Sequence, residues 1–497
     1  MLIKKILLIR PGVSFWRKRF SQPLGLLYLI SILRQRFPGQ FEIELVEQAA
    51  YNFNFKQMRE KIKKFNPDLV GFSCMSMEAD AMAEISRIVK EINPKCITVL
   101  GGPHASVFYD YVLEKSRVDI VVIGEGEATF SELIQKLQKD EPIDNVNGIA
   151  FKKDDKIILT PPRDPIEDLD SIPFPAWDMI DFKHYSKLAG MHVFSYAIPW
   201  SVIFTSRGCP FHCAYCHKIF GKRTRFRSPE NVIAEIELLT KKYGVKEIHI
   251  VDDIFNLDLA RAKKICDLIV ERGIKVKIAF PNGLRGDMMD KEFIHKLKQA
   301  GCYSIIYAIE TASPRLQKLI NKNLDIDKVR QAIKWANDEK IATHGFFMIG
   351  FPSETKEEIE KTIKWACDSE LRFGVFFTVV LYPRQPLMEI AKKVYPNFDF
   401  AKWEMPTLWY WTETPFYKKA TGIDLREIQE NAYRQFHRKR IFSTLLHFPI
   451  PIKAILNPGN PQWLWRNLFM SLFRYKKEKS VFFPKYKTKK EFNVKGR

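Results

Sequence analysis

The chain has few cysteines, no long apolar run and a shortage of acidic side chains. Its eight cysteines among 497 residues are too sparse for a disulfide framework, which favours a reducing, cytoplasmic setting. No stretch approaches the roughly 18 apolar residues of a membrane span, and the apolar start Met1–Ile9 is too short for a signal peptide. With 58 acidic and 79 basic side chains, the net charge of +21 suits nucleic acid, anionic lipid or an acidic substrate, or a lysine-rich solvated surface.

Three of the cysteines, Cys209, Cys213 and Cys216, are concentrated in one short segment. Thiolates select zinc, copper(I) or iron–sulfur centres, and cluster ligation normally takes four cysteines. Three ligands therefore leave one iron of a cubane cluster open to something else. A structural zinc site would be closed and usually pairs two cysteine knuckles. Haem attachment through the C-x-x-C-H pattern ending at His217 would leave Cys209 unexplained. We therefore predict a [4Fe–4S] cluster with one open coordination position.

Residues 1–140 alternate short apolar runs with amphipathic helices. Runs rich in Val, Ile and Leu indicate parallel strands that are buried on both faces. The predicted strands are Lys5–Arg10, Glu42–Val46, Asp68–Ser73, Ile97–Leu100 and Asp119–Ile123. This pattern predicts a doubly wound α/β domain of the Rossmann or flavodoxin-like kind, whose ligands bind beyond the carboxyl ends of the strands.

Small residues follow several of these predicted strands. Glycine lets backbone approach a bulky ligand, and serine supplies a compact hydrogen-bonding group. The candidate binding residues at these strand ends are Ser73, Ser76, Gly101, Gly102, Pro103, Gly124, Gly126 and Glu127.

A second set of strand–helix units occupies residues 196–400, after a proline-containing connector at 141–195. The predicted strands are Val202–Thr205, Glu247–Val251, Val276–Phe280, Tyr303–Ile309, Thr343–Met348 and Gly374–Val380. Six such units predict a partial (β/α)6 TIM-like barrel with its chemistry at the carboxyl ends of the strands. We expect residues 401–497, which are aromatic and basic, to form a mainly helical C-terminal region.

The cysteine motif, on a loop directly after an apolar strand, resembles that of the radical S-adenosylmethionine (SAM) superfamily. With the glycine-rich strand ends and Pro23–Leu29 ahead of it, the chain from residue 1 to about 440 resembles cobalamin (B12)-dependent radical SAM enzymes. The resemblance implies that Cys209, Cys213 and Cys216 hold the cluster and that its open iron chelates SAM, which is cleaved to a 5′-deoxyadenosyl radical. The Asp-x-His-x-x-Gly motif that ligates cobalt in some cobalamin proteins is absent, so we expect no histidine on the cobalt.

The same resemblance assigns SAM contacts to side chains after successive barrel strands. Tyr215 would stack on the adenine, and one carboxylate of Asp252 and Asp253 would meet the SAM amino group. Arg285 would bind the SAM carboxylate through two hydrogen bonds. Glu310 would hold the ribose hydroxyls.

Later strand ends carry the remaining candidates. Gly350 and Pro352 belong to the turn expected beside the adenine, and Tyr382 is expected to face the substrate as a catalytic candidate. For each single residue, a helix cap or a surface position is the alternative interpretation. Joint placement after successive strands favours the functional one.

The predicted function is methylation, or a related radical modification, of an unactivated carbon in an apolar lipid or isoprenoid. A radical cyclase or oxidase resembling the anaerobic tetrapyrrole cyclases would share every motif and remains an alternative. A methylthiotransferase acting on RNA is a third, but such proteins carry three further cluster cysteines, whereas the first domain has only Cys74 and Cys96.

The expected partners are a small-molecule or lipid substrate and an electron donor such as ferredoxin or flavodoxin. The aromatic segment Trp463–Phe473 leads into a lysine-rich tail, a combination that suits peripheral contact with the inner face of a membrane. A helical subdomain that packs over the barrel is the alternative for this region. Nucleic acid is not expected as a partner.

Overall fold

The computed structural model describes residues 2–12, 20–192, 194–217, 219–400 and 415–447. The strands are β1 (Lys5–Arg10), β2 (Glu42–Glu47), β3 (Leu69–Ser73), β4 (Ile97–Gly101), β5 (Ile120–Val122), β6 (Ile149–Lys153), β7 (Lys156–Leu159), β8 (Trp200–Ile203), β9 (Ser206–Arg207), β10 (Arg225–Phe226), β11 (Glu247–Ile250), β12 (Lys277–Ala279), β13 (Cys302–Glu310), β14 (Ala342–Ile349) and β15 (Phe373–Thr378). The helices are α1 (Leu24–Arg36), α2 (Phe55–Phe65), α3 (Ala79–Ile92), α4 (Pro103–Lys115), α5 (Gly126–Gln138), α6 (Phe182–Tyr185), α7 (Pro229–Tyr243), α8 (Leu259–Glu271), α9 (Lys291–Gln299), α10 (Pro314–Leu319), α11 (Ile326–Asp338), α12 (Lys356–Asp368), α13 (Pro386–Val394), α14 (Pro415–Thr421) and α15 (Leu425–His447).

The first domain is built on a seven-stranded sheet in the order β2-β1-β3-β4-β5-β6-β7. Strands β1 to β5 are parallel, and helices return the chain between them, which confirms the predicted doubly wound fold. Alternation along β1 separates two cores. Ile6 and Leu8 pack with α1 and α5, whereas Leu7 and Ile9 pack with α2 and α3. The antiparallel strands β6 and β7 come from the segment predicted as a connector, so the sheet continues beyond residue 140.

The second sheet has six parallel strands in the order β15-β14-β13-β12-β11-β8. Each strand after β8 lies beside the previous strand of the set, with a helix packed between them. This is the predicted partial (β/α)6 barrel, which is open between β8 and β15. The short ribbon of β9 and β10 is antiparallel, with Arg207 opposite Arg225.

Side chains bind the backbone at both open edges of the barrel. At β8, the Gln22 amide donates to the Trp200 carbonyl at 3.1 Å and accepts from the Val202 N–H at 3.2 Å. At β15, the Gln429 amide donates to the Phe376 carbonyl at 2.5 Å. The Phe376 N–H donates to the Tyr433 hydroxyl at 3.1 Å. These groups replace the hydrogen bonds that a neighbouring strand would make.

A buried polar cluster closes the amino end of the barrel. Glu247 begins β11, and its Oε1 lies 2.7 Å from His249 Nε2 and accepts from the Tyr303 hydroxyl at 2.8 Å. Its Oε2 accepts from the Ala197 N–H at 2.6 Å. The Trp200 ring stacks on His249, with ring centroids 5.5 Å apart. Both oxygens of this carboxylate therefore accept hydrogen bonds from groups inside the protein.

The described part of the C-terminal region is helical, as predicted. Helix α15 packs against β15 and α12 at the end of the barrel. Within the described ranges, no helix combines the length and apolar character needed to cross a bilayer. Trp463–Phe473 and the lysine-rich tail lie outside the described residues.

Candidate active site

Two of the three motif cysteines line one cavity at the carboxyl end of the barrel. Cys209 and Cys216 lie on its wall, the cavity has a volume of about 340 Å³, and Cys213 is buried at 9% exposure. Burial raises the pKa of the Cys209 thiol, and it raises the pKa of Cys216 to about 11. The raised pKa values favour the protonated thiols of Cys209 and Cys216, and metal binding must release those protons.

The loop that carries the cysteines has a strictly constrained backbone. Gly208 has φ +88°, and a Cβ at this position would lie 2.4 Å from the Arg223 carbonyl oxygen. Only glycine is compatible with that approach. At the centre of the loop, the Ala214 N–H donates to the Ile320 carbonyl at 2.8 Å, and the Ala214 carbonyl accepts from Leu387 at 3.0 Å. The barrel thus anchors the cysteines from two sides.

The donor set of this loop fits a cluster better than a single metal ion. In the described part of the chain, no three His, Cys, Asp or Glu side chains are placed to hold one ion together. A cubane does not require such convergence, because each thiolate binds a different iron. The three thiolates of this loop, two of them on the cavity wall, therefore fit the ligand set of a [4Fe–4S] cluster with one open coordination position.

The two carboxylates after β11 have different environments. Asp252 is 3% exposed, and its oxygens accept from the Thr205 N–H at 2.6 Å, the Thr205 hydroxyl at 2.5 Å and the Ser206 hydroxyl at 2.7 Å. Burial raises the pKa of Asp252, although these donors oppose the shift. Asp253 instead lines the cysteine cavity, where its Oδ1 lies 3.6 Å from His217 Nε2. The structure thus directs only Asp253 towards the predicted SAM position.

The cavity contains residues that the sequence did not single out. Asn282 lies on its wall, and the Asn282 amide donates to the Val251 carbonyl at 2.7 Å. Phe220 and Phe346 add aromatic surface to the same wall. The position of Asn282 directly after β12 was the available signal, because side chains at strand carboxyl ends meet at one edge of the barrel.

Tyr215 and Glu310, predicted to contact the adenine and the ribose, lie together in the structure. The Tyr215 hydroxyl donates to Glu310 Oε1 at 3.1 Å, and burial raises the Tyr215 pKa well above its usual value. Lys322 Nζ lies 3.3 Å from the same oxygen, a neighbour that the sequence did not predict. Glu310 has φ +67°, a strained conformation for a residue other than glycine. Their contacts with SAM stay a prediction.

Arg285 contacts the cysteine loop through Phe211, whose ring centroid lies 4.0 Å from its guanidinium. The same guanidinium binds Asp287 at 2.9 and 3.2 Å and the Asn323 carbonyl at 3.1 Å. Its contact with the SAM carboxylate stays a prediction.

The turn after β14 has the predicted backbone character. Gly350 has φ +92°, and the N–H groups of Gly350 and Phe351 both donate to Glu354 Oε2, at 2.5 and 2.9 Å. Pro352 is buried next to them. Burial raises the pKa of Glu354 to about 8. Glu354 thus already binds two N–H groups of the turn, and the contact of Gly350 and Pro352 with the adenine stays a prediction.

The loop after β15 contacts the first domain. Tyr382 is half-buried in this loop, and burial raises its pKa. Arg384 donates to the Val107 carbonyl of α4 at 2.5 Å and pairs with Asp110. The prediction that Tyr382 faces the substrate stays a prediction, but the loop also joins the two domains.

The predicted cobalamin residues lie along one edge of the first sheet. Ser73, at the end of β3, lies close to Gly102, where an added Cβ would come within 2.9 Å of its hydroxyl oxygen. The Ser76 hydroxyl lies 3.1 Å from His104 Nδ1, and burial lowers the pKa of His104 to about 4. Gly124 has φ +77°, and no atom lies within 4 Å of a Cβ added there. This edge of small residues fits a bulky flat ligand.

The remaining predicted cobalamin residues are arranged around the same edge. Gly101 ends β4, Pro103 begins α4, and Gly126 begins α5. The Glu127 carboxylate pairs with Arg207 at 2.5 Å and is 7% exposed. Its side chain therefore joins the two domains, and its contact with cobalamin stays a prediction.

Comparison with known families agrees with this arrangement. Residues 203–366 match the radical SAM superfamily, and residues 17–134 match the B12 binding domain. In Kitasatospora setae, the radical SAM methyltransferase TsrM, whose structure holds cobalamin and a [4Fe–4S] cluster, has the same fold. Its TM-score is 0.66 at 18% identity, covering 79% of this chain and 75% of TsrM. The fold and the cysteine loop thus define a radical SAM enzyme with a cobalamin-binding domain.

Three relatives of known or assigned class specify the enzyme family more closely. An uncharacterized methyltransferase of Pyrococcus horikoshii is 34% identical over 398 residues, covering 79% of this chain and 84% of that protein. The cytidylyl-2-hydroxyethylphosphonate methyltransferase of Streptomyces wedmorensis is 29% identical over 431 residues, covering 75% and 79%. The anaerobic magnesium-protoporphyrin IX monomethyl ester cyclase of Cereibacter sphaeroides is 28% identical over 437 residues, covering 86% and 68%. This chain belongs to the cobalamin-dependent radical SAM methyltransferase family, and its cofactors are a [4Fe–4S] cluster, SAM and cobalamin.

Proposed function

We propose that this enzyme methylates an unactivated carbon of an apolar substrate, a lipid or an isoprenoid. The observation that carries the proposal is the aromatic wall of the barrel next to the cluster cavity. Phe346 lines that cavity, and its ring centroid lies 5.3 Å from that of Phe377. Phe377 is 40% exposed, although it lies on a barrel strand, and it pairs in register with Met348. An exposed apolar surface of this kind favours a ligand that is itself apolar.

Polar side chains line the same cavity beside the aromatic ones, among them Asp253 and Asn282. We propose that Asp253 and Asn282 contact SAM and that Tyr215 and Glu310 hold its adenosine part. In this proposal SAM binds the polar residues of the cavity, and the substrate binds its aromatic residues. The cofactors, when bound, supply reductive cleavage of SAM, hydrogen abstraction and a methyl donor, while the protein binds, orients and excludes water.

We propose that the cobalamin-binding residues lie within residues 1–140, although the sheet of that domain extends through β7 to Leu159. The connector then runs from β7 to about residue 195, and the barrel extends to about residue 400. The electron donor is proposed to be a ferredoxin or flavodoxin, and the net charge of +21 favours an acidic partner. The C-terminal region is proposed to contact the membrane surface peripherally.

The proposal is tested with SAM labelled in its methyl group. Reconstituted enzyme is incubated anaerobically with a lipid extract or with a water-soluble metabolite extract, and products are identified by mass. We expect labelled methyl in the lipid fraction. Label found only in the water-soluble fraction would contradict an apolar substrate. A product that has lost hydrogens without gaining carbon would favour the cyclase alternative.

Two matched variants test the aromatic wall. Phe377→Asp places a charge on the wall, and we expect lipid methylation to fall at least about 10-fold, because an apolar substrate bound there would bury that charge. Leu159→Asp is the control, since Leu159 is a large exposed apolar residue of β7 at 52% exposure. This control should methylate normally. Equal activity of Phe377→Asp and the wild type would refute the role of the wall.

A further inference from the structure

A buried cluster of four charges joins the loop after β5 to the base of the cysteine loop. Glu127 in the first turn of α5 pairs with Arg207 of β9 at 2.5 Å. Glu125, just before that helix, accepts from Arg225 of β10 at 3.0 Å and lies 3.6 Å from Arg207. All four side chains are between 3% and 7% exposed. We call this set the charge junction.

The charge junction lies next to both cofactor regions in sequence. Arg207 is two residues before Cys209. Arg225 lies opposite Arg207 in the antiparallel ribbon at the base of the cysteine loop. On the other side, Gly124 and Gly126 flank Glu125 at the strand end predicted to bind cobalamin. A shift of either region must therefore move charges that the other region holds.

The surroundings make this junction difficult to break. Arg207 lies over the rings of Tyr28 and Phe220, at 5.2 and 5.5 Å from their centroids. The Arg207 guanidinium lowers the pKa of Glu127 against the effect of burial. Removing one member of a buried ion pair leaves the other charge without compensation, which is costly. The four charges of the junction are thus held in one paired arrangement.

A second ion pair between the domains has none of these properties. Arg384 and Asp110 are 48% and 38% exposed, and their pair lies on the loop after β15 rather than on the cysteine loop. Exposed pairs contribute little to stability. This pair is therefore a matched comparison for the charge junction, because it joins the same two domains without touching the cluster loop.

We infer that Glu125 and Glu127 are positioning residues that couple cobalamin binding to the state of the cluster loop. The inference rests on the proposed cobalamin edge at Gly124 and Gly126. The loop after β5, which would contact cobalamin, holds Arg207 and Arg225 through Glu125 and Glu127, and these arginines hold the ribbon at the base of the cysteine loop. Coupling of this kind is reciprocal, so an assembled cluster must also strengthen cobalamin binding.

The test measures the affinity of hydroxocobalamin for the full-length chain by anaerobic titration, with and without reconstituted iron and sulfide. In the wild type we expect binding at least about fivefold tighter with the cluster, at the lower end of typical coupling between sites. Glu127→Gln should reduce this ratio at least about twofold, because one of the two links of the junction is lost while the Glu125–Arg225 pair remains, and four irons per chain and the electron paramagnetic resonance signal of the cluster should be retained. Asp110→Asn should keep the wild-type ratio. A wild-type ratio of 1, or an unchanged ratio in Glu127→Gln, overturns the coupling.

A second variant covers the case in which Glu127→Gln fails to fold. Combining Glu127→Leu with Arg207→Met removes both charges at similar volume and leaves no buried charge unpaired. The same loss of coupling is expected, and persistence of the wild-type ratio in this variant overturns the inference. Failure of the proposed function has a different signature, because then lipid methylation is absent while the cobalamin ratio between cluster-loaded and cluster-free protein persists.

Discussion

The two ends of the barrel use similar side chains for opposite purposes. At the amino end, Glu247 satisfies His249, Tyr303 and a backbone N–H, and every partner is inside the protein. At the carboxyl end, Asp253, Cys209 and Cys216 line a cavity of about 340 Å³. Strand β11 contributes to both ends, since it begins with Glu247 and leads directly into Asp252 and Asp253. Polar groups on one strand thus stabilise the barrel where they are paired inside the protein, and they can contact a ligand where they line the cavity.

The largest expected effect is on the cluster. Cys213→Ser should prevent assembly of a four-iron cluster and lower 5′-deoxyadenosine formation at least about 100-fold, since an unligated cluster site cannot bind SAM. Iron content and product chromatography measure both. Cys302→Ser is the control at the amino end, where Cys302 is buried in β13. Normal iron content in Cys213→Ser would refute the assignment of this cysteine.

The next effect should appear at the amino end as a loss of stability. Glu247→Ala leaves the Tyr303 hydroxyl, the His249 ring and the Ala197 N–H without their acceptor. We expect a loss of about 3 kcal/mol in the free energy of unfolding. Urea unfolding measures it, and the iron content should remain that of the wild type. If stability were unchanged, or if the cluster were lost instead, the separation between the two ends would be wrong.

A pH dependence is expected from Glu354 in the turn after β14. Its folded pKa of about 8 lies above the unfolded value of roughly 4.3, so the folded chain keeps a proton that the unfolded chain has lost. Stability should therefore fall as the pH rises from about 5 to 8, by up to about 1.4 kcal/mol per pH unit. Glu354→Gln should flatten this slope, whereas the exposed Glu357→Gln should not. An unchanged slope in Glu354→Gln would mean that another group causes it.

The smallest effect should distinguish the two neighbouring aspartates. Asp253→Asn should raise the KM for SAM about 10-fold with little change in stability, because it removes a charge from the cavity wall. Asp252→Asn should leave the KM unchanged and cost about 1–3 kcal/mol, because its buried donors lose a charged acceptor. Steady-state kinetics and thermal unfolding separate the two outcomes. The reverse pattern would exchange their roles.

Strands, helices and the cysteine loop were predictable because they follow from local patterns. Strands β1 and β3 were predicted to within a residue, since buried parallel strands produce short apolar runs. The choice between Asp252 and Asp253 could not be made in the same way. Both follow the same strand, and only the tertiary position of Thr205 and Ser206 decides which carboxylate is enclosed.

Two predicted contact residues have partners that the sequence analysis did not identify. The Arg285 guanidinium binds Asp287, two residues along the chain, and the Asn323 carbonyl. Glu127 follows a glycine-rich strand end, yet its partner Arg207 is 80 residues away in the chain. A single sequence contains no local signal for the pairing of Glu127 with Arg207, because that pairing depends on how the two domains pack.

The capped borders of the barrel have a consequence for its behaviour in a crowded solution. A strand with unpaired backbone groups is a template on which another chain can add, and that is a common start of aggregation. Gln22 at one border and Gln429 with Tyr433 at the other already occupy part of these groups. The barrel can therefore remain open between β8 and β15, with space for a large substrate, while its edge strands are protected from pairing with a second molecule.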